Sequence, residues 1–221
     1  MKKKLLMTAL ISLFGASIFL TSCSKDEDTI APILSLLGDA DITIAKDAIW
    51  SDPGFTASDD EDGDITSKVT TSGTVDVTTP GHYHITYTVS DEAGNTSSVE
   101  RSVTVSWTGA QLAFNYNADE DCSGLTSTYT VISTASSSTF SGVMSGFAEF
   151  PSPPAVTTFS VVGNEVTIPT QFPNGAGSDY ELFGSGTIAF SGSTITWTIN
   201  YTVTQVSTST VTNCTVTMTS L

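Results

Sequence analysis

The strongest constraint on the fold is a run of strict alternation near the C-terminus. Over residues 194–204, Ile195, Trp197, Ile199, Tyr201 and Val203 take every second position, and Thr194, Thr196, Thr198, Asn200, Thr202 and Thr204 take the others. Successive side chains of a strand point to opposite faces, so a period of two describes a half-buried β-strand and no helix. The next run keeps the pattern, with Cys214, Val216 and Met218 on one face and Asn213, Thr215, Thr217 and Thr219 on the other. Threonine is β-branched and favours strands, so the polar face itself supports a sheet.

Composition becomes informative against that pattern. Residues 108–221 hold 39 Ser and Thr and no Lys or Arg. Such a bias raises the alternative of a disordered Ser/Thr-rich stalk, which the alternation rejects. Further strands are expected at residues 112–116, 126–132, 140–148, 157–162, 165–169 and 180–190, with hairpin turns at Gly163-Asn164 and Ser191-Gly192-Ser193. Asp119, Glu120 and Asp121, beside Cys122, read as a turn. About eight antiparallel strands in succession predict an up-and-down meander that closes into a barrel or half-barrel. Phe114, Tyr116, Tyr129, Phe159, Phe183, Phe190, Trp197 and Tyr201 are the candidates for its interior, either filling it or enclosing a small apolar ligand. Residues 147–154 and 172–179 are expected as rim loops.

Trp107-Thr108-Gly109 marks a boundary, and an earlier module precedes it. Short strand-like runs alternate there with turns at Pro53-Gly54, Asp62-Gly63-Asp64 and Pro80-Gly81, without an amphipathic helical stretch, which predicts a small β-sandwich. Its clearest strand puts Tyr83, Ile85, Tyr87 and Val89 on one face and His82, His84, Thr86 and Thr88 on the other; Val99, Arg101, Val103 and Val105 share a face of the last strand. Two local features carry metal-ligand chemistry. Asp59, Asp60, Glu61, Asp62 and Asp64 crowd five carboxylates around Gly63, and hard cations such as Ca²⁺ take several carboxylate oxygens. Asp59, Asp60, Asp62 and Asp64 are therefore candidate Ca²⁺ ligands. The spacing is not that of an EF-hand, and the alternative is a turn whose Asp side chains accept backbone amides. His82 and His84, at i and i+2, form a weaker candidate pair for Zn²⁺ or Cu²⁺, against two solvated strand histidines. No other cofactor is expected.

Charge excludes whole classes of partner. The chain has 23 acidic and 7 basic residues, a net charge of −16. Lys2, Lys3 and Lys4 open an N-terminal segment in which residues 5–20 are largely apolar, too short for a spanning helix and of the length of a signal h-region. Removing those three lysines leaves 4 basic against 23 acidic residues, or −19. Nucleic acid, which needs clustered cations, is excluded as a partner, as is a polybasic membrane patch.

Several segments resemble known families. Leu20-Thr21-Ser22-Cys23 resembles a bacterial lipoprotein lipobox, which implies cleavage before Cys23, acylation of Cys23 and stable anchoring by two or more chains in outer-membrane lipid. Ser24-Lys25-Asp26-Glu27-Asp28 resembles the surface-export signal of Bacteroidota lipoproteins, implying an anchor in the outer membrane that faces the cell exterior; the alternative is a solvated charged tether. Asp28-Thr29-Ile30 resembles the O-glycosylation motif of that phylum, with Thr29 as acceptor. Cys122 and Cys214 then remain, both beyond the signal in an oxidising compartment, and are expected to form one disulfide.

In the earlier module, Ser51-Asp52-Pro53-Gly54-Phe55-Thr56-Ala57, Asp62-Gly63-Asp64-Ile65-Thr66, Pro80-Gly81-His82-Tyr83, Tyr87-Thr88-Val89 and Asp91-Glu92-Ala93-Gly94-Asn95 occur in order. They resemble the Ig-like module of bacterial surface proteins first defined in an insecticidal crystal toxin (the DUF5011 type). The resemblance implies an Ig-like sandwich used as a spacer or adhesion module, with Tyr83 in the place of a tyrosine corner. The late strands, ending in Cys214-Thr215-Val216-Thr217, resemble C-terminal lipocalin-like domains of Bacteroidota lipoproteins.

The expected organisation is all-β: a signal peptide at 1–22, an acidic tether at 23–30, an Ig-like β-sandwich at 31–106 and an antiparallel barrel-like domain at 108–221. The expected function is non-catalytic: a lipid-anchored surface protein whose Ig-like spacer presents the second domain to a glycan or protein ligand. The alternatives are a structural or adhesion component of the cell surface, and a small glycoside hydrolase. The last would need two carboxylates, for which Glu149 and Glu181 are the pair to test.

Overall fold

In the computed structural model, residues 27–149, 155–173 and 179–221 are described. The signal segment and Cys23 lie outside them. The chain is a succession of strands. β1 (Ile33–Leu36), β3 (Phe55–Asp59) and β4 (Gly63–Asp64) make one sheet; β2 (Asp41–Ala45), β7 (Thr96–Ser106), β6 (Gly81–Ser90) and β5 (Thr70–Ser72) make the facing one, in that order. β2 runs parallel to β7, and every other pair is antiparallel. The alternation read from the sequence is the burial pattern of this sandwich, because Ile85, Tyr87, Val89, Arg101, Val103 and Val105 are buried.

The turn motifs of this sandwich are its fasteners. Asp52 accepts the Gly54 amide on Oδ1 and the Tyr87 hydroxyl on Oδ2. Arg101, fully buried, donates to the carbonyls of Leu37, Asp39 and Gly54, and its Nε lies 3.5 Å from Asp52 Oδ1. Asp91 Oδ1 accepts the amides of Gly94 and Asn95, closing the β6–β7 turn. The Tyr83 hydroxyl reaches back to the Thr79 carbonyl at 2.6 Å, the contact of a tyrosine corner.

The second domain is a closed eight-stranded barrel of β8 (Asn115–Cys122), β9 (Leu125–Ala135), β10 (Ser141–Ser145), β11 (Val156–Val162), β12 (Glu165–Gln171), β13 (Tyr180–Ser191), β14 (Thr194–Gln205) and β15 (Thr210–Ser220). Each strand pairs with its successor, and β15 pairs with β8 to close the ring. Eight strands leave an interior that side chains can just fill. Trp197 occupies the centre, edge-on to Tyr116 at 5.6 Å and to Phe159 at 5.1 Å between ring centroids. Gly142 is required there, because a Cβ would lie 2.4 Å from the Phe159 ring.

Two readings need correction. Asp119, Glu120 and Asp121 lie in β8, not in a turn; the turn is Ser123-Gly124, both with positive φ, as a two-residue hairpin demands. Phe114, Phe183 and Phe190 are exposed, not interior. In β13 the inward positions are Leu182, Gly184, Gly186 and Ile188; the phase of the strand sends Phe183 outwards, while Phe190, in the inward phase, stands at the end of the strand against Trp107 and Lys46. Residue type suggested interior aromatics there; strand phase decides otherwise for Phe183 and the position at the strand end for Phe190, and the inward space opposite Tyr201 and Ile199 is left by two glycines.

The two domains meet directly. Ser106 Oγ donates to the Val161 carbonyl, the Trp107 amide to Gly163, and Gln111 Nε2 to the Lys46 carbonyl. The Lys46 ammonium stands 5.5 Å from the Trp107 ring centroid and 5.8 Å from that of Phe190, within cation–π range. Gly163, in the β11–β12 turn, has φ +63°, a conformation that favours glycine, and a Cβ there would touch Gly81 and His82 of the Ig-like domain at ordinary contact distance.

Candidate functional site

The end of the barrel away from this junction carries the disulfide. Cys122 and Cys214 are directly opposed in the β8–β15 register and bonded, with Cα atoms 4.1 Å apart. Inside that end, Glu120 is buried. Its Oε1 accepts the hydroxyl of Tyr129 at 2.7 Å and that of Tyr201, and its Oε2 accepts Ser127 Oγ at 3.2 Å. The Tyr129 oxygen in turn accepts the amide of Ala148, a residue held at φ +67°. Burial, reinforced by the neighbouring carboxylate, raises both tyrosine hydroxyls far above their ordinary range. Phe147 packs on Tyr201 with centroids 5.0 Å apart. This network satisfies a buried carboxylate with three hydroxyl donors. Sequence reading missed it, although Tyr116, Ala118 and Glu120 share one phase of β8 and signalled the inward turn of Glu120.

On the outer face of the same end, β13, β14 and β15 form a depression of about 450 Å³. Exposed Phe183 stands in register with Thr202 and Asn213, and Ser185 with Asn200 and Thr215. Thr202 Oγ1 donates to Asn213 Oδ1 at 3.0 Å, and Thr215 Oγ1 to Asn200 Oδ1 at 2.8 Å. Those bonds orient both amides and use only their oxygens, so the Nδ2 donors keep their capacity for a ligand. A second hollow of about 300 Å³, lined by Glu165, Thr167, Ser185, Thr187 and Asn200, adjoins the first through Ser185 and Asn200. The composite surface offers one flat aromatic ring among hydroxyls and amides, with Glu165 as its single charge. A sugar ring requires such a set: an apolar platform for its C–H face and neutral polar groups for its hydroxyls.

The remaining candidates are distributed as follows. Asp59 and Asp60 come together with Asp28 of the tether, their ligand oxygens all within 4.8 Å of one another. Asp62 instead faces Lys68 at 3.1 Å and accepts the Glu92 amide. Asp64 accepts the Thr66 amide, which lowers its pKa. His82 and His84 each bond separately across to β7, to Thr104 Oγ1 and Glu100 Oε1. Thr29 is exposed. Glu181 lies on β13 in register with Thr204, and the side chain of Glu149 lies outside the described residues.

Residues 34–105 match the family model for the Ig-like domain of bacterial surface proteins. The match spans the first domain and leaves the barrel outside it. No curated protein matches the sequence. Among solved structures, a lipoprotein from Bacteroides thetaiotaomicron is 21% identical, with 84% of this chain and 98% of that one covered and a TM-score of 0.35. A Clostridium perfringens ZmpB fragment containing CBM51-2 in complex with GlcNAc, and INT domains, is 16% identical, covering 85% of this chain and 43% of that one, TM-score 0.30. A larger ZmpB piece, the M60 catalytic domain with two CBM51 domains, is 17% identical over 86% and 21%, TM-score 0.29.

Proposed function

We propose that this is a non-catalytic surface lipoprotein whose Ig-like domain serves as a spacer and whose barrel binds a glycan on its outer face. Acylated Cys23 anchors it in the outer membrane of a Bacteroidota-type envelope, facing outwards. The observation that carries the ligand reading is the β13–β15 depression, where exposed Phe183 is flanked by Ser185, Asn200, Thr202, Asn213 and Thr215. Recognition there rests on stacking and neutral hydrogen bonds, in keeping with a domain that has 7 acidic residues and no cation. The interior is taken up by Trp197, Tyr116, Phe159 and Met144, which favours an external site over an enclosed one.

The test is a glycan array probed with the purified protein. Binding is expected, and Phe183→Ala should weaken it about tenfold, the size of one lost aromatic stacking contact. Flat signals against every glycan would turn the reading to a structural component of the surface. On intact cells, added proteinase should remove the protein; protection, in cells where a known surface protein is cut, would overturn the outward orientation.

A further inference from the structure

We propose a Ca²⁺ site that clamps the N-terminal tether onto the Ig-like domain, formed by Asp28, Asp59 and Asp60. The three residues come from two segments far apart in sequence, yet one carboxylate oxygen of each lies within 4.8 Å of the others. Three like charges at that separation repel unless a cation lies among them. No side chain supplies one among the described residues. Lys46 is paired with Asp47, Lys68 with Asp62 and Glu92, and Arg101 is held in the sandwich core.

The second observation is Asp59 itself. Its Oδ1 is occupied by the amides of Glu61 and Asp62 at 3.0 and 3.1 Å. Its Oδ2 is buried and has no hydrogen-bond partner. A buried carboxylate oxygen without a donor is expensive, and the carboxylate that carries it belongs to the cluster with Asp28 and Asp60, where a cation would satisfy it. Asp28 is positioned rather than loose: the Ile30 amide donates to its Oδ1 at 2.9 Å, and Asn95 Nδ2 donates to its carbonyl at 3.1 Å. A hollow of about 190 Å³ lined by Ile30, Ala31, Ile33, Ser58, Asp59 and Asp60 adjoins the cluster, with room for coordinating waters.

The donor set is oxygen only, which selects a hard cation, and three carboxylates completed by water suit the flexible coordination of Ca²⁺. The site differs from the four-carboxylate turn expected from sequence, because Asp62 and Asp64 have other partners and Asp28 takes their place. Its consequence is mechanical. Ca²⁺ would fix residue 28, and with it the direction in which the tether leaves the domain, while chelation would free it. The metal site stands apart from the lipid anchor and the glycan surface, so its test neither requires nor decides either.

The experiment is calorimetric titration of the detergent-solubilised full chain with CaCl₂ after removal of metals with a chelator. One Ca²⁺ per chain is expected, with Kd on the order of 10⁻⁴–10⁻³ M, as for extracellular modules. Asp28→Asn and Asp59→Asn should each weaken binding at least tenfold, and Asp64→Asn should leave it unchanged. Both Asn variants keep an Oδ1 acceptor for the amides that bond it, so the turn persists, and matching apo melting curves establish this. If Asp59→Asn nevertheless fails to fold, Asp28→Asn, outside the sheets, carries the test alone. Absence of heat at millimolar Ca²⁺ overturns the proposal, as does binding that survives Asp28→Asn.

Discussion

Arg101 shows how one residue can be both readable and surprising. Its phase on β7, shared with Val99, Val103 and Val105, puts it inside the sandwich, and the structure finds it wholly buried. The guanidinium is tolerated because three carbonyls and Asp52 receive it. Replacing it with Leu would take the guanidinium donors from the three carbonyls, while Asp52 would keep the Gly54 amide and the Tyr87 hydroxyl. Leaving a buried acceptor unsatisfied costs about 1–3 kcal/mol, so Arg101→Leu should lower unfolding free energy by at least about that much in urea denaturation; a loss below about 1 kcal/mol would show the carbonyls to be hydrated instead. Glu120 is the opposite case. An acidic residue between Asp119 and Asp121 looks like part of a solvated turn; its phase with Tyr116 and Ala118 points it inwards, and Tyr129, Tyr201 and Ser127, brought from β9 and β14, explain why it is tolerated there.

Among elements, the β8–β15 seam decides whether the sheet is a barrel. Its strands are the first and last of the domain, so their pairing carries the longest loop closure of the meander. The Cys122–Cys214 bond spans a separation of 92 residues across that seam. In the chain-entropy model a loop of this size is worth about 4–5 kcal/mol. The Cys122→Ala/Cys214→Ala double variant should therefore lose several kcal/mol of barrel stability, read by denaturation followed through the near-ultraviolet signal of Trp197. An unchanged midpoint would mean that the seam's hydrogen bonds suffice. β13 shows the limit of pattern reading. Alternation located the strand, but its phase is marked only by Leu182 and Ile188, because Gly184 and Gly186 between them have no side chain to reveal a face.

At the level of the whole molecule, stability is linked to pH at both extremes. Asp64, Asp76, Asp91 and Asp179 have lowered pKa values; hydrogen bonds from Thr66, Thr78 and Ser207 act first for Asp64, Asp76 and Asp179, and bonds from Asn95 and Gly94 outweigh burial for Asp91. A depressed folded value means stability present above the unfolded value of 3.8 and lost as pH falls below it. Burial pushes Tyr116 up to about 12 from 10.0, and Tyr129 and Tyr201 rise further. A raised value for an acid favours the neutral folded form, so this stability is full below pH 10 and declines as pH rises through 12. The melting temperature should be level between about pH 6 and 9 and fall on both sides. Phenolate absorbance showing every tyrosine ionised near pH 10 in the still-folded protein would contradict the buried set. By itself, the amino-acid order determined the all-β class, the two-module organisation, the Ig-like turn motifs and the cysteine partners, because period-two burial and turn chemistry are local properties. Only the tertiary structure decided that the sheet closes, which hydroxyls satisfy Glu120 inside it, that Phe190 lies against Trp107 and Lys46, and that Asp28 joins Asp59 and Asp60. Each of these depends on strands distant in sequence meeting in one register, and no local pattern records that.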